Sequence, residues 1–129
     1  MMNTNRKTNL VYPELSYKIM GILFEVGNKL DTKYQEKHYQ RAIETKFKTL
    51  GLIYKREAEA DVKFEGENLG KFRVDFIVED KIILEIKTVN LITNEMVRQV
   101  LRYLESTGLK LAIIVNFRHK PLEYRRVVL

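Results

Sequence analysis

The chain contains no cysteine and only two histidines, His38 and His119. Without cysteine there can be no disulfide, thiolate zinc site, iron–sulfur cluster or cysteine nucleophile. With so few histidines, a histidine-rich metal centre is also not expected. Any metal would be held by oxygen, which favours magnesium, manganese or calcium. No apolar run approaches the ~20 residues needed to cross a bilayer. Residues 1–8 are polar and lack the apolar core of a signal peptide. These absences predict a cytoplasmic chain with no membrane partner.

The 129 residues are 45% hydrophobic and 31% charged, a balance that suits one folded domain spanning residues 1–129. A net charge of +6 and a pI near 9.5 fit a polyanionic partner such as nucleic acid, and equally an ordinary lysine-rich surface. Charge alone does not choose between them.

Residues 1–10, with Arg6 and Lys7, read as a flexible basic lead-in. Pro13 opens a predicted helix to Leu30, with Leu15, Ile19, Ile22, Leu23, Val26 and Leu30 forming one apolar stripe. A second helix is expected from Lys33, capped by Thr32, to Leu50, where Gly51 stops it. Its stripe is Tyr39, Ile43, Phe47 and Leu50, and one step back lies Glu36. That glutamate is either an inward-facing acid or a first-turn acid favoured by the helix dipole.

Ile53–Phe64 alternates as a half-exposed strand, and Gly66, Asn68 and Gly70 supply a turn. Lys71–Val78 should place Phe72, Val74, Phe76 and Val78 on one face. Ile82–Val89 reads as a central strand covered on both sides. A helix over Asn94–Ser106, capped by Thr93 or Asn94, precedes an interior strand Leu111–Phe117 and a last strand Tyr124–Leu129. The order predicts an α/β domain with a mixed β-sheet flanked by α-helices.

Within this pattern, Asp75, Glu85 and Lys87 interrupt otherwise apolar strands. An unpaired buried charge loses several kcal/mol of hydration, but two carboxylates and an amine can coexist around a divalent cation. Direct cross-strand partners face the same way, and a one-residue slip reverses them. Asp75 and Glu85 oppose each other only if Val78 pairs with Ile82 across the loop Glu79-Asp80-Lys81. A two-residue loop would set Asp75 opposite Leu84 and abolish the site. The competing reading is a salt-bridged surface face, with Asp75 on Arg73 and Glu85 on Lys87.

The residues Asp75 and Glu85-Ile86-Lys87 resemble the signature of the PD-(D/E)xK nuclease superfamily. Gly70–Val78, Leu84–Lys87, Gln99–Leu104 and Asn116-Phe117 are similar to its small GxxExxY proteins, as are Glu36 and Tyr39. The resemblance covers roughly Ile19 to Phe117. It departs where Lys33 replaces the motif glycine and Leu30-Asp31-Thr32 replaces a glycine-rich turn. It implies a restriction-endonuclease-like core. It also implies that Asp75, Glu85 and the Ile86 carbonyl hold Mg2+ or Mn2+, and that Lys87 orients the attacking water. Glu36 would be an accessory acid. Gln99 would hydrogen-bond near the metal or substrate, with Tyr103 one turn later.

The first functional expectation is therefore a metal-dependent nuclease hydrolysing phosphodiester bonds in DNA or RNA. Arg118, Lys120, Arg125 and Arg126 could contact phosphates, or form a solvated C-terminal surface. Homodimerisation would let so small a nuclease address both strands. The alternatives are a catalytically weak nucleic-acid-binding module and a self-associating scaffold, both with a nuclease fold.

Overall fold

The computed structural model describes residues 11–129. The basic lead-in expected over residues 1–10 lies outside the described residues.

Helix α1 spans Pro13–Leu30, with Glu14 in its first turn and Lys29 in its last, each charge complementing the helix dipole. Ile19, Ile22, Leu23 and Val26 are its buried apolar face. Helix α2 spans Glu36–Leu50 and buries Tyr39, Ile43 and Phe47 before ending at the left-handed Gly51. It begins three residues later than the predicted Lys33, with Gln35 rather than Thr32 at its N-cap. The cause is Tyr39. Its buried ring stacks on Phe117 at 4.4 Å, its hydroxyl donates to the Asp31 carbonyl at 2.5 Å, and it accepts from the Tyr34 N–H at 3.3 Å. The Gln35 N–H donates to His38 Nδ1 at 3.1 Å. These bonds hold residues 31–35 as a shaped loop, where propensity alone would continue the helix.

Five strands follow: β1 Tyr54–Phe64, β2 Glu67–Val78, β3 Ile82–Lys87, β4 Leu111–Asn116 and β5 Glu123–Val128. Helix α3, Asn94–Thr107, connects β3 to β4; Thr93 caps it by accepting the Met96 N–H at 3.2 Å. The sheet order is β1-β2-β3-β4-β5. Only β3 and β4 are parallel; every other neighbouring pair is antiparallel. The mixed sheet predicted from the order of elements is thus present, with the α3 crossover supplying its one parallel pair.

The glycine-containing stretch between β1 and β2 holds a shorter turn than expected. The turn is Glu65-Gly66, both with positive φ, which matches the hand of a two-residue hairpin. Asn68 and Gly70 instead belong to β2, which begins at Glu67. At the other end, β3 stops at Lys87 rather than Val89, because the Val89 backbone turns to the Asn116 amide.

Helices α1 and α2 cover one sheet face, packing Phe76, Val78, Ile82, Leu84 and Ile86 of the central hairpin. Helix α3 covers the other, with Val74, Ile83, Ala112 and Ile114. Residues 82–86 and 111–116 are all buried. Each large aliphatic side chain so buried contributes about 1.5–3 kcal/mol, so β3 is held firmly enough to carry an acid at Glu85.

One expectation about β2 fails in an informative way. Phe72 and Val74 face α3, whereas Phe76 and Val78 face α1 and α2. The same crossing occurs in β1, where Tyr54 packs with α2's cluster and Ala58 with α3's. Between them Glu57 has a left-handed φ of 53°. The β1–β2 ribbon therefore twists sharply at Glu57 and Asp75, and its far half leaves the sheet to lean over α3.

Candidate active site

The twist creates the site. β2 and β3 pair as Val78↔Ile82, Ile77↔Ile83 and Phe76↔Leu84, which is the register that sets Asp75 beside Glu85. The loop is Glu79-Asp80-Lys81, closed by the Lys81 N–H on the Val78 carbonyl at 2.9 Å. Glu79 and Asp80 both take positive φ. The Glu79 carboxylate pins the turn by accepting the Ile53 N–H at 2.6 Å. The ladder stops at Phe76↔Leu84. Beyond it, Asp75 Oδ2 accepts the Ile86 N–H at 2.7 Å. A side chain thus takes over where the strands splay, and the backbone donor stays satisfied.

Glu85 is buried at 7% exposure and shares a hydrogen bond with Asp75. Burial, the Asp75 charge and that hydrogen bond push its carboxyl up to about 9, against a smaller opposing pull from Lys87. Near neutral pH the metal-free pair therefore holds a proton on Glu85. Glu36, at the start of α2, is also raised, by burial and by Asp75, with Lys87 opposing. The Tyr103 hydroxyl is raised by burial and by Glu85, while Gln99 hydrogen-bonds to it. The structure therefore brings Glu36, Asp75, Glu85, Lys87, Gln99 and Tyr103 within electrostatic or hydrogen-bonding reach of one another.

The salt-bridged-surface alternative does not describe this arrangement. Arg73 pairs with Glu57 at 3.3 Å and Glu59 at 3.6 Å, not with Asp75. Among the described residues Glu85 and Lys87 form no direct ion pair. A shared proton between two converging acids is the condition that a hard cation relieves, and the donors are all oxygen, so the residues fit magnesium or manganese. Among the described residues no set of three acidic or histidine side chains forms a ligand cluster. The two carboxylates Asp75 and Glu85 are therefore the candidate donor pair.

The four expected phosphate contacts are scattered. Arg118 follows β4 at the sheet end that carries Lys87, and its guanidinium donates to the Thr88 carbonyl at 3.1 Å. Arg125 pairs with Ile114 and so shares the α3 face with Glu85. Lys120 pairs with Asp31 at 3.6 Å. Arg126 lies opposite Ile113 on the α1 face and reaches the Val11 carbonyl at 3.4 Å. They do not form one basic patch.

Sequence reasoning passed over Asn116 as a functional residue. Its fully buried amide donates to the Val89 carbonyl and Glu123 Oε1, both at 2.8 Å, and accepts from the Val89 N–H at 3.0 Å and the Arg118 N–H at 3.1 Å. Glu123 in turn accepts the Ile92 N–H at 3.2 Å. Together they latch the segment between Lys87 and α3, and so set where Gln99 and Tyr103 stand against Glu85. The available signal was a lone amide ending the apolar run Leu111–Val115.

No helix among the described residues is long and apolar enough to cross a membrane. No curated protein matches the chain. Among solved structures, the protein described as SSO0001 superposes with a TM-score of 0.56 at 20% identity, covering 72% of this chain and 50% of that one. An alkaline exonuclease from Laribacter hongkongensis gives 0.49 at 18% identity, covering 71% and 54%. The chain thus spans about half the length of each. The fold is the expected restriction-endonuclease-like one, a mixed sheet with helices on both faces. The sequence model of the PD-(D/E)XK nuclease superfamily matches residues 13–127, and the chain belongs to that superfamily.

Proposed function

We propose that this chain is a metal-dependent nuclease that hydrolyses phosphodiester bonds in DNA or RNA at the Asp75–Glu85–Lys87 centre. The observation that carries the reading is the convergence of Asp75 and Glu85 on a shared hydrogen bond beside Lys87. Superfamily membership supports the same reaction class, and Glu36 with Tyr39 supports a place among the GxxExxY proteins.

Asp75, Glu85 and the Ile86 carbonyl would hold Mg2+ or Mn2+. The bound ion would supply an activated water and neutralise charge on the phosphate. Asp75 is fixed for this by the Ile86 N–H. Glu85 would bind a cation as the carboxylate, so metal binding would release protons. The Lys87 ammonium orients the attacking water and offsets charge gathering on the phosphate oxygens. Gln99 and Tyr103 face the pair from α3 and position the scissile phosphate. Glu36 remains an accessory acid at the rim, set there by the Tyr39 anchor beneath its loop.

The test is incubation with plasmid and single-stranded substrates, with and without manganese, beside Glu85→Ala and Lys87→Ala. The expected result is metal-dependent cleavage by the wild type that both variants lose. Equal cleavage by all three would identify a contaminant and remove the enzyme. One observation favours a second reading, a nucleic-acid-binding module of negligible turnover. The proposed metal site has two carboxylate side chains, and the described residues contain no three-residue ligand cluster. Salt-dependent binding without cleavage would select it.

A further inference from the structure

A groove of about 870 Å³ opens beside the acidic site. One wall is the far half of the β1–β2 ribbon, with Asp61, Val62, Lys63 and Phe72; the other is α3. Gln99 and Tyr103 line it as well, and Tyr103 feels the Glu85 charge, so the groove and the acidic site share α3 as a wall. Consecutive strand residues ordinarily alternate faces, yet Asp61, Val62 and Lys63 all line this groove. Here the ladder shifts between Val62 and Lys63, leaving Leu69 of β2 unpaired, a bulge that bends the ribbon beside the groove. Beneath, Phe72 stacks on Tyr103 with ring centres 4.2 Å apart, which ties the ribbon to the site.

We propose that this groove is the path of a single nucleic-acid strand leading its scissile phosphate to Asp75 and Glu85, so that the substrate is a single-stranded segment, end or flap rather than an intact duplex. The inference rests on the nuclease reading above. A groove of this volume accommodates a drug-sized ligand, or about two nucleotides of extended strand, and no duplex. Its lining suits a strand. Lys63 has no ion-pair partner among the described residues. Arg102, held only by an exposed contact to Glu95 at 3.3 Å, lies on the opposite wall, so phosphates can be met from both sides. Val62 and the Phe72 ring offer apolar surface to sugars and bases, a sequence-tolerant contact. Asp61 and Glu105 keep the groove from being a strong polyanion trap, which favours a strand that moves through it over one held fast.

The test uses the full chain and two changes outside the catalytic group: Ser106→Trp, which plugs the groove, and Lys63→Glu, which reverses its charge. Three readouts are compared: cleavage of a short single-stranded oligonucleotide, cleavage of the blunt duplex of the same sequence, and hydrolysis of bis(p-nitrophenyl) phosphate, which is small enough to bypass the groove. The expected result is cleavage of the single strand over the duplex, an about tenfold loss with either variant, and unchanged hydrolysis of the small diester. Single-strand cleavage by both variants at the wild-type rate, or wild-type preference for the duplex, would overturn the strand path while leaving the nuclease intact. If the wild type hydrolyses neither substrate, the nuclease reading fails. Fluorescence anisotropy of a labelled single strand then decides the groove: binding that Ser106→Trp abolishes supports it, and absent or unaffected binding overturns it.

Discussion

Arg73 and Asp75 stand two residues apart on β2, and the sheet uses them in opposite ways. On the outer side of the ribbon, Arg73, Lys71, Glu57 and Glu59 form a lattice of ion pairs between 3.3 and 3.8 Å, with every member at least half exposed. On the inner side, Asp75 meets another acid, Glu85, under α3. Water makes the first cluster inexpensive and nearly inert, since exposed pairs are worth about 0–1 kcal/mol. Exclusion of water makes the second cluster costly, as the raised Glu85 carboxyl records. The outer cluster pairs opposite charges in water, whereas the inner one sets two like charges together out of water, so both burial and repulsion raise Glu85.

The contrast can be broken most forcefully at Glu85. Glu85→Gln should lower metal-dependent cleavage by about a thousandfold, some 4 kcal/mol of lost transition-state stabilisation. Steady-state rates on a single-stranded substrate measure it, and a loss below tenfold would equate the inner acids with the outer ones. Next in size is Asn116→Leu, which orphans the Val89 backbone and Glu123 together. It should destabilise the fold by about 2–4 kcal/mol, read as a lower urea midpoint, and weaken cleavage by displacing α3.

Metal-free stability should also depend on pH with a definite sign. Glu85 titrates well above its unfolded value, so the folded chain binds the extra proton across the interval between about 4.5 and about 9. Stability due to this group is full below the unfolded pKa and falls as pH rises through that window. In the presence of EDTA, Glu85→Gln should flatten the fall and be more stable than the wild type at pH 8 by about 1–3 kcal/mol. A wild type whose stability rises across the window would show that no proton is shared. The smallest effect belongs to the outer lattice. Arg73→Ala should change stability by under about 1 kcal/mol and leave cleavage within about twofold; a larger loss would place Arg73 in the site after all.

What could be read from the sequence follows the same division. The apolar stripes of α1 and α2, the buried β3 and the acids at Asp75 and Glu85 are local patterns; their register depended on a three-residue loop over a two-residue one, a choice settled only by the pairing of Val78 with Ile82. The ribbon twist was not legible, because alternation in Phe72, Val74, Phe76 and Val78 is identical whether the strand is straight or turned at its middle. The late start of α2 depended on Tyr39 reaching back to Asp31, a contact between residues eight apart in a loop of no fixed pattern. The Asn116–Glu123 latch joins the segment after β3 to two later strands, and spacing carries no trace of it. The basic residues near the C-terminus were visible as a cluster along the chain, but strand alternation sends Arg125 and Arg126 to opposite faces.

The central claim is that the two inner acids form one cation site, and titration of the metal-free chain with manganese by calorimetry tests it most directly. The account predicts a single site whose affinity rises with pH, which releases protons on binding and is lost in Glu85→Gln and Asp75→Asn. Absence of heat from the wild type at millimolar manganese, or equal binding by either variant, would contradict it.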